Sequence, residues 1–352
     1  MSHFEQRLQA DLDAIRDWVW SLGSDVEKAL RNAKQALLQA DVDLAYATVL
    51  NDHPINRKSR ACDRMCHAFI ARHLPGAGHL REIAATIRVN VALERVGDYA
   101  VTISREAVQL QQALPRHLIT EIDSVADASF QILHDSRLAF RDDNAEQAKA
   151  LMRMAKRVEH DMDAIYADLF DTDNDLNARS RLSLFVVFNM LKRVADQAKN
   201  LCDQTVYAVR GIAKIPKVYN ILFLDQADSL TGPLALFVAR KNFPTQAQFR
   251  LAVAGDVAAP QAELQEFLTA KGLDAENLES ESLASLQYEL AEFDVVVALQ
   301  GNAIDYIGTP PFHTTALHWD ISKGEQELSD LYRLLHQRIH NLIDLLAGEE
   351  AA

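Results

Sequence analysis

The chain has 352 residues, 49% of them hydrophobic and 24% charged, which suits one to three globular domains and excludes a disordered or fibrous protein. Its 36 Lys and Arg stand against 50 Asp and Glu, a formal net charge of −14. Sequence-independent binding to nucleic acid or anionic lipid, which depends on neutralising phosphates, is therefore not expected.

From Phe4 the apolar positions run Phe4, Leu8, Leu12, Ile15, Val19, Leu22, steps of four and three that define one helical stripe. The N-terminus, MSHFEQRLQADLD, has no basic region followed by an apolar run, so no signal peptide is expected. No stretch approaches about 18 uninterrupted apolar residues, and no transmembrane segment is expected either. Three cysteines, Cys62, Cys66 and Cys202, cannot build a disulfide framework, and the expected location is the reducing cytoplasm. Trp18 and Trp20, near the end of the first helix, read as packing or contact residues. Cys62 and Cys66 stand four apart with His67 and His73 nearby, but fit no zinc-knuckle spacing and read as core.

Helical spacing recurs in Ile83, Ile87, Val91, Val96, Ile103 and again in Leu184, Val187, Leu191, Val194, Leu201. Pro75 with Gly76 and Gly78 interrupts it, and Pro115 breaks it about midway. The break invites a search for duplication. LERVGDYAVTI, starting at Leu93, matches LKRVADQAKNL, starting at Leu191, with Leu, Arg, Val, Asp and Ala at equal offsets. Asp52-His-Pro-Ile-Asn56 sets against Glu159-His-Asp-Met-Asp163. The pattern predicts two antiparallel three-helix units, roughly 3–110 and 116–211.

Asp52/Asn56, Glu94/Asp98 and Glu159/Asp163 each stand four apart, so on a helix both oxygen-bearing side chains leave one face. Two carboxylates about 4 Å apart repel by about 1–4 kcal/mol at effective dielectrics between those of water and a protein surface. That is tolerable on a solvated face, or where a cation offsets it. Oxygens from several helices suit a hard cation, Mg²⁺, Mn²⁺ or iron, with zinc a further candidate.

The run Pro75-Gly-Ala-Gly-His-Leu-Arg-Glu-Ile83, followed by LERVGDYAVTI, resembles the PhoU family of phosphate-response regulators over about residues 3–211. The resemblance implies two repeated three-helix bundles with a repeated acid-x-x-x-Asp motif that carries metal. It makes Asp52, Asn56, Glu94, Asp98, Glu159, Asp163 and Asp196 the metal-face candidates. It also implies contacts with phosphate transporter components and a sensor histidine kinase, and a homodimer. The chain departs from the family pattern at Lys192, where Glu is usual, at Gln197, where His is usual, and at His79, where Asp is usual. A lysine ammonium repels a cation, so the first repeat keeps the better site.

Beyond Pro216 the character changes. Six of the nine prolines and seven of the twelve glycines fall in residues 216–352, and a domain boundary is expected near Gly211–Pro216, giving domains 1–215 and 216–352. The second carries 8 Lys and Arg against 20 Asp and Glu, a net of −12, which leaves 28 and 30, a net of −2, for the first. Val218–Leu224, Phe249–Ala254, Asp294–Leu299 and Thr315–Trp319 read as strands. Pro233–Asn242, Gln261–Lys271, Leu283–Phe293 and Gly324 to about Leu346 read as helices. The alternation predicts a four-stranded parallel sheet covered on both faces.

ILFL before the first loop, AVAG after the second strand, the helix AELQEFLTAKGLD, the strand FDVVVAL and the closing HWDIS resemble low-molecular-weight tyrosine phosphatases and related arsenate reductases. Those enzymes carry a loop of Cys, five residues, then Arg, and a later Asp-Pro acid. Here the loop reads Asp225-Gln-Ala-Asp-Ser-Leu-Thr231, then Gly232, and Lys323-Gly324 follows HWDIS. Asp225 stands for the nucleophile and Thr231 for the arginine, while Asp228 and Ser229 lie between them. No cysteine falls in this domain to supply a thiolate. The expected protein is a non-enzymatic, cytoplasmic regulator of phosphate uptake and signalling, with a catalytically degenerate docking domain. The alternatives are a phosphatase or arsenate reductase with an atypical loop, and a metal-sensing bundle unrelated to phosphate.

Overall fold

A computed structural model describes residues 3–110, 114–170, 176–212, 217–227, 229–255, 262–270, 280–286, 289–311, 313–321 and 327–348. Two compact units divide the chain, Met1–Lys214 and Ile215–Ala352.

The first unit holds six long helices: α1 (His3–Gln39), α2 (Val42–His73), α3 (Ala77–Gln109), α4 (Arg116–Arg141), α5 (Ala145–Phe170) and α6 (Ala178–Arg210). α1, α2 and α3 pack on one another, α4 and α5 both pack on α6, and α3 lies along α6 to join the two triplets. The stripe begun at Leu12 runs past Leu22 and Val26 to Leu37, so α1 continues through Gly23, and Trp18 and Trp20 lie at its middle rather than near its end. Asp41 caps α2, its side-chain oxygen accepting the Leu44 N–H at 2.9 Å. Pro75 ends α2, because a proline disfavours helical backbone at the preceding residue, and Leu74 turns left-handed. Leu22, Val26, Leu30, Phe69, Ile83, Leu93, Leu184 and Phe188 form a continuous apolar core.

The second unit is an α/β fold around a parallel sheet of β1 (Tyr219–Gln226), β2 (Ala247–Ala254), β3 (Glu281–Ser282), β4 (Val295–Ala298) and β5 (Thr315–His318), in the order β3-β2-β1-β4-β5. The sheet has five strands, not four. The added β3 is two residues pairing with Ala252 and Val253, too short to leave an apolar run in the sequence. The expected helix at Leu283–Phe293 is instead two 3₁₀ turns, Leu283–Leu286 and Leu290–Glu292. α7 (Thr231–Asn242), α8 (Ala262–Ala270), α9 (Ala303–Ile307) and α10 (Leu328–Ala347) complete the unit, α9 being unanticipated. β1 lies at the centre, and Ile221 to Asp225 are all buried, because covered faces admit a continuous apolar run. Its C-terminal end therefore opens at the turn into α7, the usual place for a ligand loop in such folds.

Candidate functional site

On α2, Asp52 and Asn56 lie one turn apart and half-buried, and the Asn56 amide donates to Asp52 Oδ2 at 2.6 Å. That bond fixes both side chains and leaves Asp52 Oδ1 and Asn56 Oδ1 buried without a hydrogen-bond partner. A buried acceptor left unpaired costs about 1–3 kcal/mol, so two together need an explanation. Glu94, half-buried, and Asp98, exposed, occupy the facing stretch of α3. Burial pushes the Glu94 carboxyl above its ordinary range, helped by the charges of Asp98 and Asp52; burial and then Asp52 raise Asp98. Asp52 of α2 and Glu94 and Asp98 of α3 are thus near enough to feel one another's charge, which favours protons or a cation at this seam. Gly97 lets the helices close: a methyl at its position would stand 3.3 Å from Ile55 Cγ2 and 3.4 Å from Asp52 Oδ1.

These oxygens are a hard-cation donor set that lacks sulfur and imidazole. Among the described residues, no group of three or more His, Cys, Asp and Glu side chains is assembled closely enough to hold a metal by itself. The α2–α3 seam adds a carboxamide to its acids.

In the second triplet, Lys192 and Asp196 are half-buried on α6 and engaged in contacts of their own. The side chains of Glu159 and Asp163 lie outside the described residues. Gln197 is buried and donates to the Tyr99 hydroxyl at 3.3 Å. Since Tyr99 and Gln197 are equivalent positions of the two repeats, this contact sits where the paired helices cross. Cys62 and Cys66 are buried in the core, and the hydrogen bond between their thiols pulls Cys62 down and pushes Cys66 up. Trp18 donates to the Lys58 carbonyl at 2.9 Å, and Trp20 lies beneath Arg137 and Arg141 at 4.4 and 4.5 Å. His79 approaches Glu82 at 3.9 Å.

In the second unit Asp225, fully buried at the end of β1, accepts the Gln226 N–H on Oδ1 at 2.9 Å and the Gly232 N–H on Oδ2 at 2.6 Å. Ser229 Oγ accepts the Thr231 N–H at 3.2 Å and the Gln300 amide at 3.0 Å, and both Ser229 and Thr231 are buried. Asp228 lies outside the described residues. Gln226 donates to the Tyr306 hydroxyl at 3.0 Å, and burial, with the charge of Asp225 nearby, raises Tyr306. Gln300 and Tyr306 escaped sequence reasoning, because neither falls in a motif. Gly97 did too, although a glycine inside a helical run is a visible sign of close approach.

The PhoU domain family model matches residues 19–107, the stretch that carries Asp52, Asn56, Glu94 and Asp98. The phosphate-specific transport system accessory protein PhoU of Edwardsiella tarda is 30% identical over 211 residues, covering 59% of this chain and 87% of that protein. The one from Escherichia coli K12 is 28% identical over 211 residues, covering 59% of this chain and 88% of that protein. Among solved structures, PhoU from Pseudomonas aeruginosa aligns with a TM-score of 0.56 at 27% identity, over 58% of this chain and 99% of that one. The phosphate transport system regulatory protein PhoU from Streptococcus pneumoniae shares the fold with a TM-score of 0.55 at 22% identity, over 60% of this chain and all of that one. Through its helical unit, the chain belongs to the PhoU family.

Proposed function

We propose that this protein is a non-enzymatic accessory regulator of phosphate transport and phosphate-responsive signalling, acting in the cytoplasm beside the transporter and its sensor kinase, as a homodimer. The observation that carries the reading is the match of the helical unit to PhoU proteins along nearly their whole length. A regulator of this kind needs a surface rather than a reaction centre. No described helix is long and apolar enough to cross a membrane, so a protein partner would supply the membrane contact.

The α2–α3 seam is the part of that surface with chemistry of its own. Asp52, Asn56, Glu94 and Asp98 would hold a divalent or iron-type ion, and the two unpaired buried oxygens support that assignment. A bound ion would add to the counter-charge that Arg60, Arg95 and Arg105 supply from nearby, which does not outweigh burial and the neighbouring acids. The second repeat holds an ion less well, since Lys192 brings a positive charge to the equivalent place. The C-terminal unit reads as a phosphatase-like fold without a nucleophile, whose acidity suits docking to a basic protein surface.

The test is genetic and chemical together. Deleting the gene in its host should leave phosphate uptake and a phosphate-responsive reporter unrestrained in phosphate-rich medium. Re-supplied wild type should restore restraint, and the full chain with Glu94→Ala and Asp98→Ala should not. Normal repression in the deletion strain would remove the phosphate reading. Unchanged metal content in the double variant would remove the ligand assignment.

A further inference from the structure

The loop after β1 closes on a group the chain itself provides. Asp225 is completely buried, yet it carries a carboxylate, which survives burial only when its oxygens are satisfied. Both are: Oδ1 takes the Gln226 N–H at 2.9 Å and Oδ2 the Gly232 N–H at 2.6 Å. Gly232 lies in the first turn of α7, a helix of 12 residues whose N–H groups and dipole favour negative charge at that end. The carboxylate therefore occupies the place an anion from solution would take. Gly232 itself is shaped to this contact, for a methyl there would stand 3.0 Å from Asp225 Oδ2 and 2.9 Å from Leu251 Cδ1. Ser229 is turned inward as well, its Oγ accepting from the Thr231 N–H and from the Gln300 amide.

We infer that Asp225 is an internal plug: its carboxylate is the resident anion at the N-terminal turn of α7, taking the place of inorganic phosphate and other oxyanions. The inference rests on reading the second unit as a phosphatase-like fold that no longer catalyses. It adds that the loop needs no ligand to keep its shape. The face at the C-terminal end of the sheet is then the same whether phosphate is scarce or abundant, and any phosphate dependence of the protein arises elsewhere.

The experiment uses the full chain, deuterated and amide-labelled, titrated with inorganic phosphate at constant ionic strength. In wild type the Gly232 amide should exchange slowly with solvent and should not shift up to about 50 mM phosphate, a concentration chosen to expose even weak sites. In Asp225→Ser the freed N–H groups should respond, the Gly232 resonance moving in a saturable way with a midpoint in the millimolar range. A phosphate-dependent shift of Gly232 in wild type overturns the plug, and so does a folded Asp225→Ser protein whose Gly232 resonance ignores phosphate. Should that variant fail to fold, the wild-type protection and titration still decide, since an unplugged loop would show fast exchange and a shift. Turnover of an aryl phosphate by wild type would instead remove the non-enzymatic reading beneath the inference. Silence in the folded variant alone leaves that reading standing.

Discussion

At the scale of single residues, the α2–α3 seam carries a cost that the fold does not require. Glu94 and Asp98 are like charges one helical turn apart, and such pairs destabilise a helix by about 0.2–0.5 kcal/mol. Glu94→Gln should therefore raise the metal-free melting temperature of the helical unit slightly, by about 1–2 °C, while abolishing any stabilisation by Mn²⁺. Thermal melts with and without chelator check this, and a loss of stability in the metal-free variant would show that Glu94 supports the fold rather than costing it. The pH dependence has a definite sign. Both carboxyls sit above their ordinary values, so the folded state binds protons more tightly than the unfolded one. Their contribution is harmless at low pH, and the unit loses stability as pH rises above the usual carboxylate range of about 4. Mn²⁺ should flatten that slope, since a cation replaces the protons. The sequence showed the four-residue spacing of these acids but not their partners. The orphaned oxygens arise from one choice, the Asn56 amide donating to Asp52, which spacing leaves open. Asp225 is similar: the sequence told of a missing thiolate, while its burial and its bond to Gly232 depend on the path of the loop.

At the scale of elements, the two helix triplets are tied by a buried ion pair that no motif announced. Arg137 of α4, buried, donates to Glu27 of α1, which also receives His134 at 3.0 Å. A second Arg137 nitrogen donates to the Trp20 carbonyl at 2.8 Å and to Ser24 Oγ at 3.1 Å. Gly23 makes room for the guanidinium, for a Cβ there would overlap it. Glu27→Ala strands a buried cation, and breaking such a pair from one side costs about 3–5 kcal/mol. At about 2–4 °C per kcal/mol for a unit of this size, the melting temperature should fall by roughly 6–20 °C. The paired change Glu27→Leu with Arg137→Met should recover most of it, because packed apolar groups replace a buried pair with little loss. Equal losses in the single and double variants would mean that the site, not the charge, sets the cost. The long helices were legible because stripes such as Leu12, Ile15, Val19, Leu22 repeat for many turns. α9, five residues long, and β3, two, are too short for any period to register. The 283–293 segment misled because its leucines, at 283, 286 and 290, keep helical spacing while the backbone winds as separate 3₁₀ turns.

At the scale of the whole molecule, each unit buries its own apolar core. Leu22, Leu93 and Phe188 belong to one, and Ile221, Phe223, Leu251 and Leu335 to the other. A chain whose cores are separate has no reason to unfold in one step, and multidomain proteins commonly depart from two-state behaviour for that cause. Calorimetry of the full chain should show two transitions. Mn²⁺ should move only the one belonging to the helical unit, by an amount that grows with the logarithm of its concentration once the site saturates. A core truncation in the other unit, Phe223→Ala, removes a fully buried ring that packs against Phe249 and Trp319 and should cost about 3–5 kcal/mol. It should lower only the second transition and leave the Mn²⁺ response of the first intact. A single transition displaced by both changes would mean that the units are energetically one body. The regulatory surface and the plugged α/β unit would then have to be treated as a coupled pair.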